Sequence, residues 1–478
     1  MPGEGARRAA DCIRQARALH RAGRLREALQ LYQQALLLAP EEPDGLTYSA
    51  AALLALGKPK DAAQRLRASL AARPNHPETL GFLGNALHLS GDVEAAEQSF
   101  RDAIDVAPRD PWLRNNLGIL LSEQKRRSEA EAHFEMAVVL DPSYAEGANN
   151  LSQICLKRGQ CGRAIAAAEQ AVEHAPKAAQ HRNCLGNALA HAGRYEEAVV
   201  SFRHALTLRP KYVAAFNNLA LALIAAGEPA EALAVTRQCT AVDPGNVTAL
   251  AARSVALGEL GDEAGRAALV DVDRLLQRFT LQPDEGHADL AGFNAALARH
   301  VSTHPTLRHA PEDHATRGGQ HSGDLLREPQ GPIAGLRRRI LDAAERYLAA
   351  LPPGFVHPFL DRRTQSWDID MWAVIMREQG HQVSHIHPSG WLSGVYYVQV
   401  KDAVAASGHE GWIEFGRPQT IYRAKAEPRV TLVRPIEGEL LLFPSFFFHR
   451  TIAYEAQAER ICIAFDLCPP GQRGKAAA

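Results

Sequence analysis

Apolar and polar positions in the first half of the chain recur at helical spacing. Between residues 111 and 144, Leu113, Leu117 and Leu120 line one face of a predicted helix, and Ala130, Phe134, Ala137 and Val138 line a face of the next. The pair of helices then repeats. Pro40, Pro74, Pro108, Pro142, Pro176, Pro210 and Pro244 stand 34 residues apart, and Gly23, Gly57, Gly91, Gly159, Gly193 and Gly227 share the frame, with Lys125 as the exception. Five residues after each of these positions come Ala28, Ala62, Ala96, Ala130, Ala164, Ala198 and Ala232. Glycine supplies the left-handed residue that ends the first helix. The small alanine lets the two helices cross closely. Proline ends the second helix, because it lacks an N–H and clashes with the preceding turn. An eighth unit begins at Val247, keeps Gly261 in frame, and lacks the proline near Phe279.

Past residue 280 the pattern changes. The stretch 279–330 carries His287, His300, His304, His309, His314 and His321 among glycines, prolines and acids, and reads as loop. One amphipathic helix is predicted over 332–351, from Ile333, Leu336, Ile340, Ala344 and Leu348. Strand-like runs follow at 370–376, 392–400, 411–415, 430–433, 439–443 and 460–467. Short strands between turns predict an antiparallel sandwich or barrel, and a helix followed by such strands fits a double-stranded β-helix, or jelly roll. The chain is therefore expected to be multidomain. Residues 1–246 form seven repeats of an all-α superhelix, 247–280 a degenerate eighth repeat or capping junction, and 281–478 the jelly roll.

A 34-residue period with this punctuation resembles the tetratricopeptide repeat, a helix–turn–helix unit that cannot bury its own apolar face and so must stack. Stacking produces a concave groove lined by the first helix of each pair. Asn115, Asn149, Asn183 and Asn217 fall at one position of that helix, and Asn116, Asn150 and Asn218 at the next, with Cys184 breaking the second run. An amide both donates and accepts, so such a ladder could hold an extended peptide backbone. The alternative is hydrogen bonding within the solenoid.

The chemistry lies past the repeats. In His385-Ile386-His387, residues i and i+2 of an extended segment point to one face, so both imidazoles can meet one metal ion. A strand runs to Pro444, and the turn after it presents His449. Alternation along 460–467 puts Arg460, Cys462 and Ala464 on one face. A buried arginine there is costly without an anion, and its planar fork suits a carboxylate.

His385-x-His387-Pro-x3-Leu-Ser-Gly-Val-Tyr-Tyr, Phe443-Pro-Ser, the His449…Arg460 spacing and Thr316-Arg-Gly-Gly-Gln320 resemble the Fe(II)/2-oxoglutarate-dependent oxygenases, and more closely a bacterial family of them. The resemblance implies Fe(II) held by His385, His387 and His449, and 2-oxoglutarate whose distal carboxylate meets Arg460, helped by Tyr396 or Tyr397. No catalytic residue is expected beyond the metal centre. Such enzymes usually have a carboxylate at the position of His387. Glu414, Asp402 and Asp466 are candidates to supply one, and His381 could replace a member of the pair. A cupin-type metalloenzyme and a repeat scaffold with an inactive barrel are the competing readings. The former has no use for Arg460, and its glutamate after the HxH is missing.

Composition adds bounds. Lys+Arg number 53 against 54 Asp+Glu, with no basic block, so a nucleic acid or acidic membrane surface is not the expected partner; a protein or peptide is. The seven cysteines form no CxxC pair, which suits free thiols in a reducing compartment. No secretory signal or membrane span is visible, and a cytoplasmic location is expected.

Overall fold

Helix pairs fill the N-terminal half. The first pair joins Glu4–Arg21 to Leu25–Leu38, and the fourth joins Pro111–Glu123 to Arg127–Leu140. The chain is described here from a computed structural model, over residues 4–471 without 284–285, 311–314, 328–330, 365, 401–403, 405–407 and 456–457. His314 and Asp402 lie outside the described residues. The chain divides into two compact units, Met1–Arg194 and Tyr195–Ala478, and the division falls between the two helices of the sixth repeat.

The punctuation of the sequence does what local physics requires. Gly23, Gly57, Gly91, Gly159, Gly193, Gly227 and Gly261 have φ between +67° and +87°, and Lys125 takes the same left-handed conformation at φ +61°. The next amide then closes back on the first helix, from Asp92 N–H to the Leu87 carbonyl at 2.9 Å and from Arg126 to Leu121 at 3.0 Å. Each second helix stops two residues before its proline. The residue between is driven out of the helical region, as at Asp141 with φ −139° and ψ 95°. The seven in-frame alanines are all fully buried. Close crossing also explains Gly84 and Gly118, where an added Cβ would stand 2.7 Å from the rings of Phe100 and Phe134.

In the second unit the helices Tyr195–Leu208, Val213–Ala226, Pro229–Val242 and Val247–Glu259 continue the pattern, and the last repeat ends in a shortened helix, Glu263–Leu269. The strands are β1 (Gln277–Thr280), β2 (Arg308–His309), β3 (Thr316–His321), β4 (Asp368–His385), β5 (Leu392–Gln399), β6 (Ile413–Phe415), β7 (Thr431–Val433), β8 (Glu439–Pro444), β9 (His449–Thr451) and β10 (Arg460–Cys468). They form an antiparallel curled sheet in the order β1-β8-β5-β10-β4-β9-β6-β7, with β3 also pairing with β4 and β2 pairing with β3. This is the expected jelly roll. It draws β1 from the stretch that the repeat frame assigns to the capping junction.

Both faces of β5 and β10 are buried. The helices Leu290–Ser302 and Pro332–Ala349 contribute Phe293, Leu297, Val301, Ile333, Leu336 and Ile340 to the core, all fully buried. The buried Tyr347 hydroxyl donates to the Leu275 carbonyl at 2.9 Å. The last repeat is bonded to the sheet domain. Glu259 accepts the amides of Lys425 and Ala426, each at 2.7 Å, and the Arg266 guanidinium donates to the Arg429 carbonyl.

β4 pairs with β3 and also serves two further neighbours in turn. Its first part pairs with β10, Asp368 opposite Cys468 through Met376 opposite Arg460, and its end pairs with β9. The change of neighbour occurs at a bend where Gln379 has φ +59°. At the adjoining Gly380 a Cβ would lie 2.6 Å from the Arg377 carbonyl.

An added Cβ on Gly91 meets nothing within 4 Å, so its substitution isolates the backbone cost. Gly91→Ala is expected to lower stability by about 1 kcal/mol, and Gly91→Asn by less, since asparagine tolerates the left-handed region. Denaturant unfolding checks this; equal losses for both would contradict it.

Candidate metal centre

His385 ends β4 directly opposite His449, the first residue of β9. The register of one strand pair therefore sets two imidazoles side by side, with ring centroids 4.2 Å apart. His387 lies two residues past the strand, where its N–H donates to the Ser445 carbonyl at 3.0 Å. A turn through Pro388 then closes, Gly390 N–H donating to the His387 carbonyl at 3.0 Å. The ligand atoms of the three histidines lie within 4.8 Å of one another.

Each ring is oriented from behind. His385 Nδ1 bonds the Val383 carbonyl at 2.8 Å, His449 Nδ1 the Phe447 carbonyl at 3.0 Å, and His387 Nδ1 the Asp466 carboxylate at 2.8 Å. These oxygens only accept, so Nδ1 carries the hydrogen and Nε2 presents its lone pair. His387 Nε2 and His449 Nε2 stand 3.3 Å apart. Burial, then the charge of His387, pushes His385 down to about 3. Burial, then His385 and His387, holds His449 well below its ordinary value. Three imidazoles whose Nε2 atoms converge, each with Nδ1 bonded behind, fit a divalent transition metal.

The candidate carboxylates are placed differently. Glu414 accepts from Arg417 and Arg450, each at 2.7 Å, and is spent on them. Asp466 stands behind His387 rather than among the ligand atoms. His381 faces the Gln379 carbonyl at 3.0 Å and takes no part in the cluster.

Arg460 is 1 % exposed. Its Nη1 meets Cys462 Sγ at 3.7 Å, its Nε has no hydrogen-bond partner, and no carboxylate pairs with it among the described residues. Its guanidinium carbon lies 5.5 Å from the centre of the Tyr397 ring, and the buried Tyr397 hydroxyl is also without a partner. Tyr396 points the other way, donating to Asn294 at 2.5 Å. Two orphaned donors beside one another in a dry interior fit an anionic ligand such as a carboxylate.

The asparagines divide. Asn115 and Asn183 are buried, and Asn115 accepts from Asn150 of the next repeat at 2.9 Å. Asn149 Oδ1 is buried without a partner, and its backbone carbonyl receives Cys184 Sγ–H at 3.8 Å. Asn217 accepts from Cys239 Sγ at 3.5 Å, and Asn218 is half-buried beside it. Asn116 donates to its own helix at Trp112, and it lines a cleft of about 390 Å³ with Phe82, Asn85, His88, Trp112 and Ile119. That cleft belongs to the first helices of three consecutive repeats.

Sequence reasoning missed Trp372, stacked on His387 with centroids 5.7 Å apart, and the hydroxyls of Ser393 and Ser445. Asp466, expected as a possible ligand, instead lies behind His387, six residues from Arg460 and thus on its face of β10.

Comparison with known proteins agrees with this geometry. Residues 370–466 match the family described as "Putative 2OG-Fe(II) oxygenase". Residues 13–77, 49–111, 83–145 and 149–213 match one tetratricopeptide repeat family, and 189–254 another. The chain thus joins tetratricopeptide repeats to a segment, residues 370–466, that is similar to this oxygenase family. Similar solved structures include the repeat protein TTC0263 of Thermus thermophilus, 26% identical over 38% of this chain and 98% of that one, with TM-score 0.35. YrrB, a repeat protein with an unusual peptide-binding site, is 19% identical over 40% of this chain and 98% of its own, at TM-score 0.35. PilF of Pseudomonas aeruginosa is 17% identical over 45% and 97%, at 0.40. No curated protein matches the chain.

His449→Ala is expected to weaken Co(II) binding at least tenfold, the range seen when a metal site loses part of its shell. Glu414→Gln should leave the affinity unchanged. Titration of the metal-free protein, followed by visible absorbance, distinguishes the two; a large loss in the Glu414 variant would make that carboxylate a ligand.

Proposed function

We propose that this protein is an Fe(II)/2-oxoglutarate-dependent dioxygenase that hydroxylates a protein or peptide presented by its repeats. The observation that carries the reading is Arg460, a buried cation without a carboxylate among the described residues, in the same jelly roll as three converging histidines. A guanidinium out of water costs several kcal/mol unless an anion joins it. A cupin-type enzyme or an inactive barrel leaves that cost unexplained.

His385, His387 and His449 would hold Fe(II) on one face. Arg460 would take the distal carboxylate of 2-oxoglutarate through its fork, with Tyr397 donating a further hydrogen bond. When bound, the pair supplies O₂ chemistry: the oxoacid is oxidised to succinate and CO₂, and one oxygen atom enters a C–H bond of the substrate. The protein holds the oxoacid by its far end, keeps water from the ion pair, and fixes the imidazoles through their Nδ1 contacts.

A macromolecular substrate is favoured by the repeats and by the cleft around Phe82, Trp112 and Asn116, which offers aromatic contact beside an amide. Seven free thiols suit a reducing, cytoplasmic setting. No helix among the described residues is long and apolar enough to cross a membrane.

With Fe(II) and O₂ the protein should release succinate from 2-oxoglutarate. Arg460→Ala should raise the KM for 2-oxoglutarate by about 30- to 100-fold, the equivalent of a charged hydrogen-bonded contact of about 2–3 kcal/mol. Co(II) binding by the same variant should be retained, showing that it folds. Unchanged KM would refute the assignment of Arg460. In proteins captured by the full chain, mass spectrometry should find a gain of one oxygen; captured proteins that are never modified would point to a scaffold.

A further inference from the structure

We propose that Asp466 is the carboxylate of this metal centre, acting through His387 instead of binding the ion. The inference rests on the reading of His385, His387 and His449 as metal ligands. Three imidazoles give a divalent ion no negative ligand, where two histidines and a carboxylate give one. The structure places a carboxylate one imidazole away from the point where the ligand atoms converge.

Asp466 is fully buried on the face of β10 that also bears Arg460. Its two oxygens have separate tasks. Oδ2 accepts from His387 Nδ1 at 2.8 Å, and Oδ1 accepts from the Ser393 hydroxyl at 2.6 Å. Ser393 lies directly opposite Asp466 on β5, and its oxygen is 2.8 Å from the Ser445 hydroxyl. No lysine or arginine pairs with Asp466 among the described residues, so its charge is directed at His387. Gly390 makes the approach possible: an added Cβ there would stand 3.2 Å from Asp466 Cγ and 2.5 Å from Ser445 Oγ.

The other two histidines rest on neutral carbonyls, those of Val383 and Phe447. Glu414 is held between Arg417 and Arg450. Among the described residues, Asp466 is the carboxylate hydrogen-bonded directly to one of the three imidazoles. A carboxylate behind a ligating imidazole orients the ring and strengthens it as a donor. Asp466 is on this account a positioning residue that returns to the ion part of the charge which His387 withholds.

The test exchanges the two positions. Metal-free full-length protein is titrated with Co(II), and affinity and visible absorption are read together, with circular dichroism to confirm folding. Asp466→Asn keeps the shape and an acceptor for His387 while removing the charge. It should lower affinity ten- to a hundredfold, the range measured for partners behind metal ligands, and should shift the visible bands. Adding His387→Asp to Asp466→Asn moves the carboxylate from behind the ligand to the ligand position, and should recover most of the lost affinity. Wild-type affinity in Asp466→Asn, or a double variant that binds no better than the single one, overturns the inference and leaves the metal site standing. Wild-type protein that takes up no Co(II) overturns the metal-site reading, and this inference with it. Where Asp466→Asn does not fold, the double variant carries the test alone: metal binding supports the exchange and its absence refutes it.

Discussion

β10 carries two charges on the inner face of the barrel, Arg460 at one end and Asp466 six residues on, and both are buried. Neither charge is tolerable in a dry interior without an opposite partner or a full set of hydrogen bonds. The surrounding strands meet this demand unequally. Asp466 is satisfied by His387 and Ser393, and that contact fixes the ring of a candidate metal ligand. Among the described residues Arg460 meets a cysteine sulfur and an aromatic face, with its Nε unpaired. One end of the strand thus reads as finished protein structure, and the other as half of an interaction that a ligand completes.

The geometry around β10 follows from register. Residues directly opposite each other in an antiparallel pair share a face. Cys462 lies opposite Tyr397 and Asp466 opposite Ser393, after a register shift at Ile461 and Cys462. That shift assigns Tyr397 to the face of Arg460 and turns Tyr396 toward Asn294. On the other flank the bend at Gln379 and Gly380 lets β4 leave β10 and join β9, which sets His385 against His449. The histidine pair depends on this crossing of neighbours as much as on the residues themselves.

What could be read in the sequence is what local chemistry specifies. The glycine, alanine and proline frames locate the first seven repeats because each residue type answers a short-range need: a left-handed stop, a close crossing, a broken helix. The apolar strands of the barrel were legible for a similar reason, as alternating or continuous apolar runs. Thr316–His321 was not, since a segment with two adjacent glycines has little strand preference and is extended here by pairing with β4. The polar end of β4 was hidden in the same way. At the site, the three histidines and Arg460 stood out by type and spacing. The choice between Tyr396 and Tyr397, and the role of Asp466, required the pairing of distant strands, which no local pattern carries. The asparagine series shows the limit from the other side. Its regularity was visible, yet Asn115 and Asn150 bond to one another between repeats, which is a structural use of the same spacing.

The central claim is that Arg460 receives the far carboxylate of an oxoacid held at the three-histidine site. Anaerobic calorimetric titration of Co(II)-loaded protein with 2-oxoglutarate, and separately with pyruvate, tests it directly, because pyruvate offers the same chelating end without the distal carboxylate. The account predicts that 2-oxoglutarate binds at least about 30-fold more tightly, a desolvated charge contact of about 2 kcal/mol or more. Equal affinity for the two acids would contradict it.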